Sequence, residues 1–294
     1  EEIGKLEEDE EGRYVLNLEG HNLPMRSPFL VLTRKDKTSL YPLRDIAYSI
    51  DKANAGKDRN IIVLGEDQKL YHKQIEAAMN EIGYKAAEVV HYSFVLLPEG
   101  KMATRNGTVV LLEDFMEEAL TKAKLEIEKR RGTCDEHTAE IIAYGAVKYS
   151  ILKTSNDKNV TFIWDDALSF DGDSGPYLQY SIARIFSLEK NCGELDFSDV
   201  DLGLLDSFEE VDLVIELSKM YDIVYVATET LSPHHIAKYL LNVTQKFSKF
   251  YQTKSVIHAE TEKHKKARLY MVKAVKQVIM NCFRILGIEY LEVM

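Results

Sequence analysis

The sequence predicts an α/β unit built on a parallel sheet, followed by an all-α helical bundle. Up to Leu97, short β-rich runs alternate with stretches of helical periodicity, and strands alternating with helices imply a parallel α/β sheet. From Leu111 onward the pattern changes to almost unbroken helix. With 45% hydrophobic residues and only 15 Gly and 6 Pro among 294, the chain has the material for two domains and few interruptions of helix.

Phe29-Leu-Val-Leu-Thr is a β-like run that leads through the polar turn Arg34-Lys-Asp-Lys to Ser39-Leu-Tyr. Pro42 suits the first helical position because its backbone angle is already set for a helix, and Ile46, Ala47, Ile50 and Ala53 continue at helical spacing until Gly56. Asn60-Ile-Ile-Val-Leu-Gly reads as a short buried strand, Leu70 to Ile82 as a helix stopped by Gly83, and Ala87 to Leu97 as a strand. Helices are then expected over Leu111 to Arg131, Asp135 to Leu152, Gly175 to Glu189, Glu209 to Glu229, Pro233 to Tyr251 and Glu262 to Leu286. Gly132, with a cap at Thr133 or Asp135, divides the chain into domains 1–131 and 132–294. The α/β part holds about two βα units and has no glycine-rich phosphate turn near its start, so it is too small to stand alone. The start Glu-Glu-Ile-Gly reads as a cut point, and the chain as the C-terminal portion of something longer.

A formal charge of −11 argues against a protein that coats nucleic acid nonspecifically. The acidic run Glu7 to Glu11 reads as solvated surface, whereas Lys238 to Lys276 is rich in lysine and can hold one RNA or form a solvated helix face. Cys134, Cys192 and Cys282 are far apart and form no Cys-x-x-Cys pair, so neither a disulfide framework nor a zinc site is suggested, and a cytoplasmic setting is expected. No stretch reaches membrane-spanning length, so no membrane partner is expected.

Three strings carry candidate chemistry. Leu97-Pro-Glu-Gly-Lys-Met-Ala-Thr-Arg-Asn-Gly is a cationic loop between two glycines, able to close Lys101 and Arg105 over a polyphosphate, or else an ordinary basic turn. Tyr41 and Asp45 lie four residues apart beyond a strand end, where open α/β sheets bind ligands. Asp45 can hold a planar guanidinium by paired charge-assisted bonds or simply complement its helix dipole, and Gln68 can add a neutral amide contact or belong to a surface turn. In Ser169-Phe-Asp-Gly-Asp-Ser-Gly-Pro-Tyr-Leu-Gln-Tyr-Ser-Ile-Ala-Arg, Tyr177, Tyr180 and Arg184 share one helical stripe. That stripe is either core packing or a stacking platform for unpaired bases. His72 and the His234-His235 pair read as structural.

Taken in order, these strings and the ending Arg284-Ile-Leu-Gly-Ile-Glu-Tyr-Leu-Glu-Val-Met resemble the C-terminal part of the arginyl-tRNA synthetases, a class I aminoacyl-tRNA synthetase family. The resemblance implies the second half of a Rossmann-like catalytic domain followed by a helical anticodon-binding domain. It implies an arginine–tRNA ligase working in protein biosynthesis on arginine, ATP with Mg²⁺ and tRNA(Arg), without a tightly bound metal, and a monomeric parent enzyme. By position, Tyr41, Asp45 and Gln68 match the residues that recognise arginine. Lys101 and Arg105, with Met102 and Thr104, match the mobile ATP-side signature loop, and Tyr177, Tyr180, Arg184, Tyr251 and Met294 match the anticodon-side RNA surface. Catalysis in that family is positioning plus charge stabilisation, so no Ser/His/Asp or Cys/His set is required.

Two departures from the family pattern stand out. Thr104 occupies the place where the class I loop usually has lysine, and Asn106 a place where a basic residue is common. The His-x-Gly-His signature of the first half is not in this sequence, so the chain is expected to hold about half an active site, to bind tRNA weakly and to aminoacylate poorly or not at all. A noncatalytic tRNA-binding module or subunit is the alternative reading. A relative specific for cysteine is disfavoured by Asp45 and by the lack of zinc-ligand cysteines.

Overall fold

The structure is a computed structural model that describes residues 4–98, the backbone of residues 100–101, and residues 110–294. The chain divides into two compact units, Glu1–Phe94 and Val95–Met294.

In the first unit, β1 (Leu6–Glu8), β2 (Tyr14–Asn17) and β3 (Phe29–Val31) form an antiparallel sheet in the order β1-β2-β3. The first two strands are absent from the sequence expectations, because three and four residues are too short to show alternation. Glu7 and Glu8 of the acidic run are exposed on β1 as expected of solvated surface. After β3 the chain turns through Lys37, whose φ is 66°, and returns at the Thr33–Ser39 bridge.

Helix α1 (Tyr41–Ala53) has proline in its first turn, as predicted. Strand β4 (Ile61–Gly65), helix α2 (Lys69–Glu81) and strand β5 (Glu88–Tyr92) make a right-sized βαβ unit with β4 and β5 parallel. The expectation that β4 is buried fails: Ile61 and Val63 are 44% and 62% exposed. Strand residues alternate between faces, and only the Ile62 and Leu64 face lines a cavity under α1 and α2. Leu16, Leu18, Leu30, Leu32, Ile75 and Met79 head the apolar core of this unit.

The second unit opens with β6 (Val95–Leu97), which pairs antiparallel with β7 (Gly100–Lys101) and parallel with β8 (Val160–Thr161). Between them run α3 (Leu112–Arg131) and α4 (Glu136–Leu152); Gly132 closes α3 in a left-handed conformation, φ 82°, and Asp135 caps α4 by accepting from the Thr138 amide. A short helix α5 (Trp164–Ala167) leads to α6 (Gly175–Cys192), whose cap is Ser174. Phe115, Phe162 and Trp164 pack edge-on or tilted, with ring centroids 4.8–4.9 Å apart, at the α3–α4 end of the core.

The helix expected over Glu209 to Glu229 is two helices, α7 (Phe208–Ser218) and α8 (Met220–Glu229). The break has a visible cause: the buried Tyr239 hydroxyl reaches the carbonyls of Glu216 and Leu217, at 3.1 and 3.2 Å, and takes over the end of α7. Tyr239 belongs to α9 (His234–Thr253), and α10 (Glu262–Leu286) completes the bundle. Leu178, Ile182, Leu213, Phe247, Val272 and Phe283 are among the residues of its continuous core. At its edge lies a buried ion pair, Arg268 to Glu210 at 2.6 Å, in which Arg268 also donates to the Ser255 carbonyl and Glu260.

Helices α4 and α6 cross at backbone contact. A Cβ on Gly175 would lie 2.7 Å from the Gly145 carbonyl oxygen, and one on Gly145 would lie 2.4 Å from Gln179 Nε2. That Gln179 amide is fully buried and donates to the carbonyls of Ile141 (2.9 Å) and Glu289 (2.8 Å), so it fastens the C-terminal segment to both helices.

Candidate functional site

Two sites can be built from the described residues, one in each unit. In the first unit, Asp45 projects from the first turns of α1, and Gln68 ends the short 3-10 turn Glu66–Gln68 that follows β4. Both line a cavity of about 340 Å³, with Tyr48, Lys52, Tyr71 and His72. Tyr41 does not line it; it begins α1 with 76% of its surface exposed.

Asp45 is held from behind. The Tyr71 hydroxyl donates to Asp45 Oδ2 at 2.5 Å, and burial together with that bond raises the phenol's pKa, keeping it protonated as donor. One carboxylate oxygen is thereby committed to a neutral donor, and Asp45 stays available to a cation. Gln68 donates to Asp67 Oδ2 at 3.2 Å, so its amide is turned to its neighbour in this state. His72 is buried, which lowers its pKa and favours the neutral ring. Tyr71 was missed from sequence, although its place three residues after Gln68, one helical turn on, was the available signal.

The ATP-side loop is described only in part. Lys101 belongs to β7 by its backbone, its side chain is not described, and Met102, Thr104, Arg105 and Asn106 lie outside the described residues. Among the described residues no group of three or more His, Cys, Asp or Glu could hold a metal ion, and no helix is long and apolar enough to cross a membrane.

The second site lies in the helical unit. Tyr180 and Arg184 stand one turn apart on α6, Tyr251 comes from α9 and Met294 from the C-terminal segment. The Arg184 guanidinium sits over two rings, 4.9 Å from the centroid of Tyr180 and 5.2 Å from that of Tyr251. All four residues line one open cavity of about 740 Å³. Tyr177 stands apart: it is half-buried against the bundle core, and burial raises its pKa. Tyr180, Arg184 and Met294 also form the wall of a neighbouring cavity of about 430 Å³, where Arg130, Phe170 and Asp171 join them. Arg130 and Gln179 were not singled out from sequence, because nothing local shows that the end of α3 or a mid-helix amide meets the C-terminal segment.

Comparison with known proteins identifies the family. The family model described as "tRNA synthetases class I (R), catalytic domain" matches residues 3–164, and the one described as "DALR anticodon binding domain" matches residues 178–294. A protein named arginine–tRNA ligase from Methanocella arvoryzae is 40% identical over 269 residues, covering 90% of this chain and 47% of its own length. One of the same name from Methanococcus aeolicus is 38% identical over 296 residues, covering 98% of this chain and 50% of its own. The solved arginyl-tRNA synthetase of Thermus thermophilus superposes with a TM-score of 0.86 at 26% identity, over 99% of this chain and 56% of that one. The chain thus spans about half the length of the curated relatives it matches. Since the catalytic-domain model alone covers more than half of its residues, the chain belongs to the arginyl-tRNA synthetase family of class I tRNA synthetases.

Proposed function

We propose that this chain is the C-terminal section of an arginine–tRNA ligase, a cytoplasmic and monomeric enzyme that activates arginine with ATP and Mg²⁺ and transfers it to the 3′ end of tRNA(Arg). The observation that carries this reading is the cavity on which Asp45 and Gln68 converge, with Tyr71 fixing the carboxylate from behind. Asp45 offers a charged acceptor for the substrate guanidinium and Gln68 a neutral partner, with Tyr41 at the head of the same helix. The βαβ unit of β4, α2 and β5 serves as part of the second half of a Rossmann-like catalytic domain. Lys101 to Arg105, including Met102 and Thr104, serve ATP, and the cations Lys101 and Arg105 offset charge on the departing pyrophosphate. The amino-acid carboxylate attacks the α-phosphate; the enzyme's share is to align the reactants and stabilise charge.

In this division of labour, residues 1–131 serve catalysis and residues 132–294 anticodon binding, through Tyr180, Arg184, Tyr251 and Met294, with Tyr177 supporting them from the core side. The chain by itself binds tRNA weakly and aminoacylates poorly or not at all. Asp45→Ala in the full-length enzyme tests the reading: arginine use should weaken sharply while tRNA affinity stays nearly intact. Unchanged arginine use would instead favour a noncatalytic tRNA-binding subunit. Arginyl-tRNA formed by the purified chain alone would refute the half-site assignment.

A further inference from the structure

A surface helix normally shows its charges to water and its apolar stripe to the core. The outward face of α7 and α8 departs from this. All four carboxylates of α7 are paired: Glu210 with Arg268 at 2.6 Å, Asp212 with Lys246 at 2.5 Å, Glu216 with Lys219 at 2.8 Å and Glu209 with Lys249 at 4.0 Å. Facing solvent instead is a row that recurs every three or four residues, Phe208, Val211, Ile215, Ser218, Tyr221 and Tyr225. Lys219, between the two helices, keeps a right-handed helical conformation, so the row continues from α7 onto α8. Phe208, Tyr221 and Tyr225 are 69%, 79% and 59% exposed. With Val214 and Val226 beside it, the row presents about 800 Å² of accessible surface, close to one partner's share of a standard protein interface and more than monomers usually leave bare.

The charge around the row is one-sided. Asp206, Asp222 and Glu229 are exposed and have no partner among the described residues. The neighbouring cations are committed: Lys219 and Lys246 to carboxylates of α7, and Lys249 to Glu209 and to the Phe208 ring, 5.0 Å from its centroid.

We propose that the α7–α8 face docks an amphipathic helix of another protein, one with an apolar stripe of matching spacing bordered by lysine or arginine. The partner packs along the row as one helix on another, and its border cations meet Asp206, Asp222 and Glu229. RNA does not fit, because the uncommitted charge here is negative. A second copy of this chain, itself carrying a net charge of −11, would set acidic ends against acidic ends whichever way the helices ran. The proposal is independent of the arginine and tRNA assignments.

The test uses a fluorescent synthetic helix of about 20 residues, enough to span the row, with leucine at the stripe positions and lysine beside them. A twin peptide carries glutamate in place of those lysines. Each is titrated against the 294-residue chain and followed by anisotropy. The lysine peptide should bind at least about tenfold more tightly than its twin, and added salt should narrow the gap. Ile215→Asp, at an exposed position, should weaken the lysine peptide at least about tenfold without moving the urea midpoint; Tyr221→Ser repeats the measurement should that midpoint shift. Asp222→Lys combined with Glu229→Lys should reverse the preference between the peptides. No binding of the lysine peptide, equal affinity for the two, or binding that both Ile215→Asp and Tyr221→Ser leave unchanged would overturn the proposal. So would sedimentation showing that the chain alone is a dimer which Ile215→Asp dissociates, since the face would then belong to a second copy.

Discussion

Replacing Gln179 by Met keeps the length of the side chain and removes its polar atoms, which isolates what the buried amide does. Gln179 makes two hydrogen bonds, at 2.9 Å to Ile141 O and 2.8 Å to Glu289 O, and is fully buried. The Ile141 carbonyl lies within α4 and keeps a helical partner, whereas the Glu289 carbonyl, three residues beyond the end of α10, loses its donor. Two net bonds plus one stranded carbonyl, less the relief of removing a Gln179 Oε1 that has no partner among the described residues, come to about 2–4 kcal/mol. Urea unfolding should show this as a lower midpoint at constant slope. Hydrogen exchange should locate it: amides of residues 288–294 should lose protection while those of α4 keep theirs. On the proposed tRNA-binding reading, RNA affinity should fall too, because Met294 lines both cavities. Gly145→Ala, whose Cβ would lie 2.4 Å from the same amide nitrogen, should give the same phenotype and add little to Gln179→Met. A loss under about 1 kcal/mol with unchanged exchange in the C-terminal segment would refute the idea that this amide holds it.

Arg268→Met strands a carboxylate in the core and should cost about 3–5 kcal/mol in chemical denaturation, most of it recovered by adding Glu210→Leu; a double variant as unstable as the single one would deny the pairing. Burial alone would raise the Glu210 pKa, but bonds from Ser207 and Arg268 hold it below the ordinary 4.5. A depressed folded-state pKa gives stability that is present above the unfolded value and lost as pH falls through the folded one, so stability should decline below pH 4.5, and the decline should be shallower in Glu210→Gln. In the full-length enzyme, Tyr71→Phe removes the donor to Asp45 and should raise the KM for arginine about tenfold with a smaller change in kcat, measured by steady-state aminoacylation. An unchanged KM would mean that Asp45 needs no fixing.

Local signals carried most of the architecture into the sequence. Pro42, Gly132, Asp135 and the run to Leu286 mark helix ends that the structure places within a residue or two, because caps and breakers act over one turn. What the sequence hid depends on partners far away in the chain. The α7–α8 break is made by Tyr239 of α9, and β1 and β2 are strands only because β3 and one another complete their ladders. The sites divide in the same way. The spacing brings Asp45 and Gln68 to one cavity and Arg184 over Tyr180 one turn away, both by contacts within a short stretch of chain. That Arg130 would close a cavity with Met294 was not legible, since it needs the tertiary path of the whole second unit.

The backbone contact between Gly145 and Gly175 bears on the entropy of recognition. Two helices separated by side chains can rock as those side chains change rotamer, but where Gly175 meets the Gly145 backbone no side chain intervenes. Arg184 of α6 is therefore carried on a stiff α4–α6 frame. On the proposed tRNA-binding reading, little ordering remains to be paid for at the moment of binding, so even a shallow, solvent-open surface can discriminate among bases.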